Sequence, residues 1–205
     1  MEMVGKFEGE FRVMTDPEFI IFTGPMFGSK TTRLLAIVDR YIRQNKRVVA
    51  FKPEMDDRYT ASEIMTHSGG HIPAFTVKSG DDILRETKKA GVPPVDVIAV
   101  DEAFMIDGCA SALLELFRSG KTVVVSSLQL SASGMVFDEV KNMMPWATKI
   151  EICPAVCPIT GRNAYYTHRK FESLDEIVVG GDDLYEPRCW EHHGFMNRRQ
   201  GNESN

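Results

Sequence analysis

Lys30 and Thr31, shortly after Gly24, and the pair Asp101-Glu102 further on are the side chains in this sequence best suited to handling phosphate. A lysine reaches the outer phosphates of a nucleotide, and a threonine hydroxyl can ligate Mg²⁺ beside it. Of two adjacent carboxylates, one can hold the metal while the other positions a nucleophile. Gly24 to Thr31 reads GPMFGSKT, close to the phosphate-loop signature G-x-x-x-x-G-K-[ST] but with the second glycine one place early, at Gly28 rather than at 29. Ser29 still supplies a backbone N–H. If position 29 is left-handed, a serine there costs about 1–2 kcal/mol unless Gly28 absorbs the strain. The competing reading is a glycine-containing turn with a chance Lys-Thr. Asp101-Glu102 argues against it, although an apolar run ending in Asp-Glu is common by itself.

The elements that must position these residues follow from periodicity. Phe19 to Thr23 is an apolar strand running into the loop, and Thr31 to Asn45 repeats Leu34, Leu35, Ile37, Val38, Tyr41 and Ile42 at helical spacing. A second strand is expected at 47–52 and a long polar stretch after it, punctuated by Pro53, Gly69, Gly70 and Pro73. A short helix at 80–90 ends at Gly91 and Pro93-Pro94. The nearly all-apolar segment 95–100 reads as a strand buried on both faces and delivers Asp101-Glu102 at its end. A helix at 110–118 and a strand at 122–127 complete the pattern. This alternation predicts an α/β fold with a mainly parallel sheet, whose ligands lie at the carboxyl ends of the strands. The expected division is an N-terminal extension at 1–18, a phosphate-loop domain at 19–149, a small lobe at 150–194 and a polar tail at 195–205.

The 205 residues are 43% hydrophobic and 26% charged, values of a globular chain. No apolar run has the length of a membrane span, and MEMVGKFEGEFRV lacks the pattern of a signal peptide. The expectation is a soluble, cytoplasmic protein. A formal charge of −5 argues against a non-specific nucleic-acid binder and leaves small anionic ligands open. Cys109 stands alone, whereas Cys153, Cys157 and Cys189 fall late in the chain, where metal ligation suits them better than a disulfide framework.

From about Phe19 to His192 the chain resembles the type II, zinc-containing thymidine kinases. The resemblance is carried by Gly24-Pro25-Met26-Phe27, by the block from Lys52 to Pro73 with Asp56-Asp57-Arg58-Tyr59 and Thr66-His67, by Asp101-Glu102, and by Gly180-Gly181-Asp182-Asp183-Leu184-Tyr185-Glu186-Pro187-Arg188-Cys189. It implies a RecA-like phosphate-loop domain and transfer of the γ-phosphoryl group of ATP to the 5′-hydroxyl of thymidine. Gly24, Pro25, Met26, Phe27, Gly28, Ser29, Lys30, Thr31 and Asp101 would then hold Mg·ATP. Glu102 would accept the hydroxyl proton, with Lys30 at the transferring phosphate and Arg58 near the reacting end. Met26, Leu128, Phe137 and Tyr185 match positions bordering the nucleoside, and the main chain of Val178, Val179, Gly180 and Gly181 matches the part that reads thymine. Arg58 as a surface charge, Met26 as core packing and His67 as a loop-ordering residue are the plainer alternatives. A homotetramer is also implied, with no nucleic-acid or membrane partner.

The sequence departs from that family at four places, the Gly28-Ser29 order being the first. Ala103-Phe104-Met105 follows Asp101-Glu102 where the family has a small residue and then Gln-Phe, and Leu128-Gln129-Leu130-Ser131-Ala132 loses an aromatic. Both changes fall on the base pocket, so a deoxynucleoside kinase of altered base preference is a rival reading; a nucleotide binder without transfer activity is another, motivated by Ser29. The resemblance implies that the late lobe is a small zinc-ribbon-like or lasso domain, Arg162 to Pro187 closing over the nucleoside, with a structural Zn²⁺ held by a Cys-x-x-Cys pair and a Cys-x-x-[Cys/His] pair, but Thr160 occupies a usual ligand position. Cys153 could substitute, giving Cys153, Cys157, Cys189 and His192 as ligands. The alternative is a buried thiol cluster, and His193 leaves open which imidazole takes part.

Overall fold

The computed structural model describes residues 16–55, 62–66, 69–171 and 180–197. Its centre is a six-stranded sheet. The strands in chain order are β1 (Phe19–Thr23), β2 (Val48–Pro53), a small hairpin β3 (Glu63–Met65) and β4 (His71–Pro73), then β5 (Phe75–Val77), β6 (Val97–Val100), β7 (Thr122–Ser127) and β8 (Lys149–Ile152). The sheet order is β5-β2-β6-β7-β1-β8, and every neighbouring pair in it is parallel. The expected parallel α/β architecture is what forms. The polar stretch after β2 also holds the β3–β4 hairpin and the edge strand β5, and Lys149–Ile152 forms a sixth strand beyond the elements expected above.

Helices cover both faces. On one side α1 (Lys30–Arg43) lays Leu34 and Val38 over Ile20, Phe22, Ala50, Ala99 and Val124. On the other, α2 (Gly80–Lys89) and α3 (Cys109–Arg118) bring Ile83 and Leu113 against Ile21, Phe51, Ile98, Val100, Val123 and Val125. Residues alternate between these two cores along each strand, which is why the central strands are apolar throughout rather than at every second place. Each large side chain buried this way contributes roughly 1.5–3 kcal/mol. A short helix α4 (Asp138–Met143) is tied to α3 through Glu139, whose carboxylate accepts the N–H groups of Gly108 and Ala110 at 2.9 and 2.7 Å.

Past β8 the chain forms two small antiparallel pairs, β9 (Ala155–Val156) with β10 (Asn163–Ala164), and β11 (Tyr166–Arg169) with β12 (Tyr185–Arg188). Among the described residues no helix is long and apolar enough to cross a membrane.

Candidate active site

The loop between β1 and α1 is shaped by its neighbours as much as by its glycines. Gly24 has φ +139°, and a Cβ placed on either Gly24 or Gly28 would lie 2.3 Å from the carbonyl oxygen of Cys153. The chain leaving β8 thus runs directly against the loop, and only glycine fits at both points. Gly28 is not left-handed; Phe27 and Ser29 are, at φ 65° and 58°. The displaced glycine therefore does not absorb the strain at position 29. It admits the Cys153 backbone, and Ser29 bears the left-handed conformation itself.

Ser29 makes no side-chain cap to α1, and the first turn of that helix carries no acidic residue. Its N-terminal N–H groups and the positive end of its dipole are thus presented to an anion. α2 is the opposite case, since Asp82 accepts the N–H groups of Lys78 and Ser79 at its start. Lys30 is buried at the loop and donates from Nζ to the Pro25 carbonyl at 2.7 Å. The Thr31 hydroxyl lies 3.1 and 3.3 Å from the two carboxylate oxygens of Asp101 at the end of β6. Glu102 follows in a left-handed conformation, φ 48°, ψ 45°, and opens a short 3₁₀ turn, Ala103–Met105. A non-glycine residue in that region costs on the order of 1–3 kcal/mol and is typically maintained at functional positions. Lys30, Thr31, Asp101 and Glu102 therefore meet at the carboxyl edge of the sheet.

Met26 and Phe27 turn in different directions. Met26 packs against Leu128, Phe137 and Val140 together with Phe104 and Met144, forming an apolar wall beside the loop. Phe104 and Phe137 have ring centroids 4.5 Å apart. The aromatic displaced by one place in the sequence thus still reaches this wall. Phe27 instead packs against Ala155, Cys157, Ala164 and Cys189. The Met26 N–H donates to the Thr167 hydroxyl on β11 at 3.0 Å, joining the loop to the hairpin that carries Tyr185. Tyr185 is buried, and its N–H and that of Leu184 donate to the Gly181 carbonyl at 3.0 and 3.2 Å. Gly180 lies against the Leu184 side chain. Arg58, Val178 and Val179 lie outside the described residues, as do Asp56, Asp57, Tyr59 and His67.

The expected zinc ligand set is not assembled. Cys153 belongs to the core beneath α1, whereas Cys157 and Cys189 form a separate cluster with Phe27. Among the described residues no group of three or more His, Cys, Asp or Glu side chains is arranged to hold a metal ion. The physical reason is that Cys153 is held against the phosphate loop by its backbone, with its N–H on the Thr23 carbonyl at 2.7 Å. Thr160 takes the neighbouring place, its hydroxyl 3.7 Å from the Cys189 sulfur. His193 donates its Nε2–H to the Thr167 carbonyl at 2.9 Å and belongs to no such group either. Among the described residues, the expected ligands are not gathered into a four-ligand zinc site.

The thiols of Cys109, Cys153 and Cys157 differ in character. Burial, reinforced by the Glu139 charge, pushes the Cys109 thiol far above its usual range, and burial also raises Cys153. Burial opposes ionisation of Cys157 too, but hydrogen bonds to its sulfur outweigh that effect. The Cys189 N–H, the Thr160 hydroxyl and the N–H groups of Ile159 and Thr160 bring it down to about 6.

Sequence reasoning missed Lys52 and Ser126, which are 3% and 1% exposed at the ends of β2 and β7 and flank Asp101. Their signal was available only as strand register, which no single strand displays.

Known proteins match this arrangement along most of its length. The family model described as thymidine kinase covers residues 18–193. A thymidine kinase of Pyrobaculum aerophilum is 34% identical over 182 residues, 85% of this chain and 97% of that protein. Thymidine kinases of Thermococcus kodakarensis and Onion yellows phytoplasma are 34% and 30% identical over 181 residues, 84% of this chain in each case and 92% and 85% of those proteins. The loop, the Asp-Glu strand end and the late hairpin all lie within the matched residues, and the chain belongs to the thymidine kinase family.

Proposed function

We propose that this protein phosphorylates thymidine, transferring the γ-phosphoryl group of ATP to the 5′-hydroxyl to give dTMP and ADP. The observation that carries the reading is the Thr31 hydroxyl on Asp101, beside Lys30 at an uncapped helix start. These hard oxygen donors suit Mg²⁺, which when bound neutralises phosphate charge. Lys30 is folded onto the Pro25 carbonyl and need only turn outward to reach the transferring phosphate. Glu102 takes the 5′-hydroxyl proton as that oxygen attacks the γ-phosphorus and the bond to ADP breaks. Met26, Leu128, Phe137, Phe104 and Tyr185 enclose the nucleoside; the main chain around Val178–Gly181 reads its base, and Arg58 attends the reacting end.

The lobe beyond β8 works as a lasso over the nucleoside, excluding water so that ATP is not spent without an acceptor. Its root is clasped by the Cys157, Thr160 and Cys189 cluster. A cytoplasmic homotetramer is the assembly we favour, consistent with the exposed edge at β8.

The deciding experiment measures ADP release from Mg·ATP with and without thymidine, for the wild type and Glu102→Gln. Thymidine-dependent turnover, lost in the variant while ATP still binds, is the expected outcome. ATP binding with no acceptor-dependent turnover would sink the enzyme reading. The contact of Phe104 with Phe137, centroids 4.5 Å apart, also favours a second reading, a shifted base preference. Turnover with another deoxynucleoside but not thymidine would select it.

A further inference from the structure

The strand register sets a row of polar side chains across the carboxyl edge of the sheet. Val100 of β6 stands opposite Phe51 of β2 and Val125 of β7. The next residues on the three strands are Lys52, Asp101 and Ser126. Alternation places them on the α1 face, the face on which Ala50, Ala99 and Val124 pack two residues earlier. They are 3%, 6% and 1% exposed. Ser126 Oγ donates to Asp101 Oδ1, on the carboxylate that also receives the Thr31 hydroxyl.

We propose that Ser126 is a positioning residue for phosphoryl transfer. Its one proton, donated from the neighbouring strand, fixes the rotation of the Asp101 carboxylate so that this group and Thr31 face the Mg·ATP together. Lys52, at the matching place on the other side, brings compensating positive charge into the row. A carboxylate with two acceptor oxygens can otherwise turn away from the metal, and the Thr31 contacts, at 3.1 and 3.3 Å, are long for O–H···O bonds and divided between both oxygens. The inference rests on the kinase reading for its purpose, but its observable does not require an acceptor.

The test is the Mg²⁺ dependence of binding of a fluorescent ATP analogue, without nucleoside, for wild type, Ser126→Ala and Ser126→Thr. Loss of an outer partner of a metal ligand typically costs about 10–100-fold in metal affinity. Ser126→Ala is expected to raise half-saturating Mg²⁺ by about 10-fold or more, while Ser126→Thr, which keeps the hydroxyl, stays near wild type. In turnover assays Ser126→Ala lowers kcat with KM for thymidine unchanged. If the alanine variant does not fold, Ser126→Cys keeps the volume without the strong donor and should show the same Mg²⁺ shift. An unchanged Mg²⁺ dependence, or an equal shift in the alanine and threonine variants, overturns the proposal. Wild-type protein that binds the analogue but shows no thymidine-dependent turnover overturns the kinase reading instead.

Discussion

Ser29 carries a left-handed backbone, φ 58° and ψ 27°, that a glycine would adopt without penalty. Ser29→Gly is therefore expected to raise stability by about 1 kcal/mol, measured by denaturant unfolding, with ATP affinity preserved. Gly28→Ala should do the opposite, because its Cβ meets the Cys153 carbonyl at 2.3 Å. Loss of ATP binding with the sheet intact is the expected signature, and an alanine variant that binds normally would show that the loop relaxes freely. Lys30, Thr31, Asp101 and Glu102 were legible in the sequence because motif spacing and strand ends encode them locally. The division of labour between Gly28 and Ser29 was not. It depends on a carbonyl more than a hundred residues away, and the same contact removes Cys153 from the ligand set its spacing suggested.

The two small antiparallel pairs beyond β8 illustrate how an element takes its properties from its titratable groups. Burial, followed by the Arg188 charge, lowers His168 below its ordinary value, while hydrogen bonds hold Cys157 near 6 despite burial. Both folded values are depressed, so both groups contribute stability that is present above their unfolded values and lost as pH falls through the folded ones. The late lobe should loosen on acidification, Cys157 contributing between about pH 9 and 6 and His168 below its ordinary 6.5. Hydrogen exchange of residues 155–169 and 185–193 measured across pH 5–9 checks this: protection should fall toward acid in the lobe but not in β6 and β7. The central strands and the three long helices were readable because a sheet buried on both faces writes continuous apolar runs and an amphipathic helix repeats at its own period. The segment KIEI of β8 is a weaker signal. Its alternation is only four residues long and marks no buried face, and the strand acquires its place at the edge by pairing with β1.

At the scale of the molecule, β8 leaves one side of the sheet open. Glu151 lies opposite Phe22 and pairs with Arg33 of α1, so Ile150 and Ile152 point to the other face, where they are 45% and 54% exposed. An exposed edge strand with apolar residues is a template for association. Sedimentation of the wild type should show an oligomer, and Ile150→Lys with Ile152→Lys should shift it to smaller species; a monomeric wild type would count against assembly through this edge. The contact between Cys153 and the phosphate loop has a consequence in time as well as in space. During synthesis the loop is made well before the carbonyl that braces it and the Thr167 hydroxyl that anchors Met26, the latter 141 residues further along the chain. The segments of β1 and α1 are therefore complete before the groups that brace the loop between them exist, and the braced form of the loop follows only once those later residues have joined the fold.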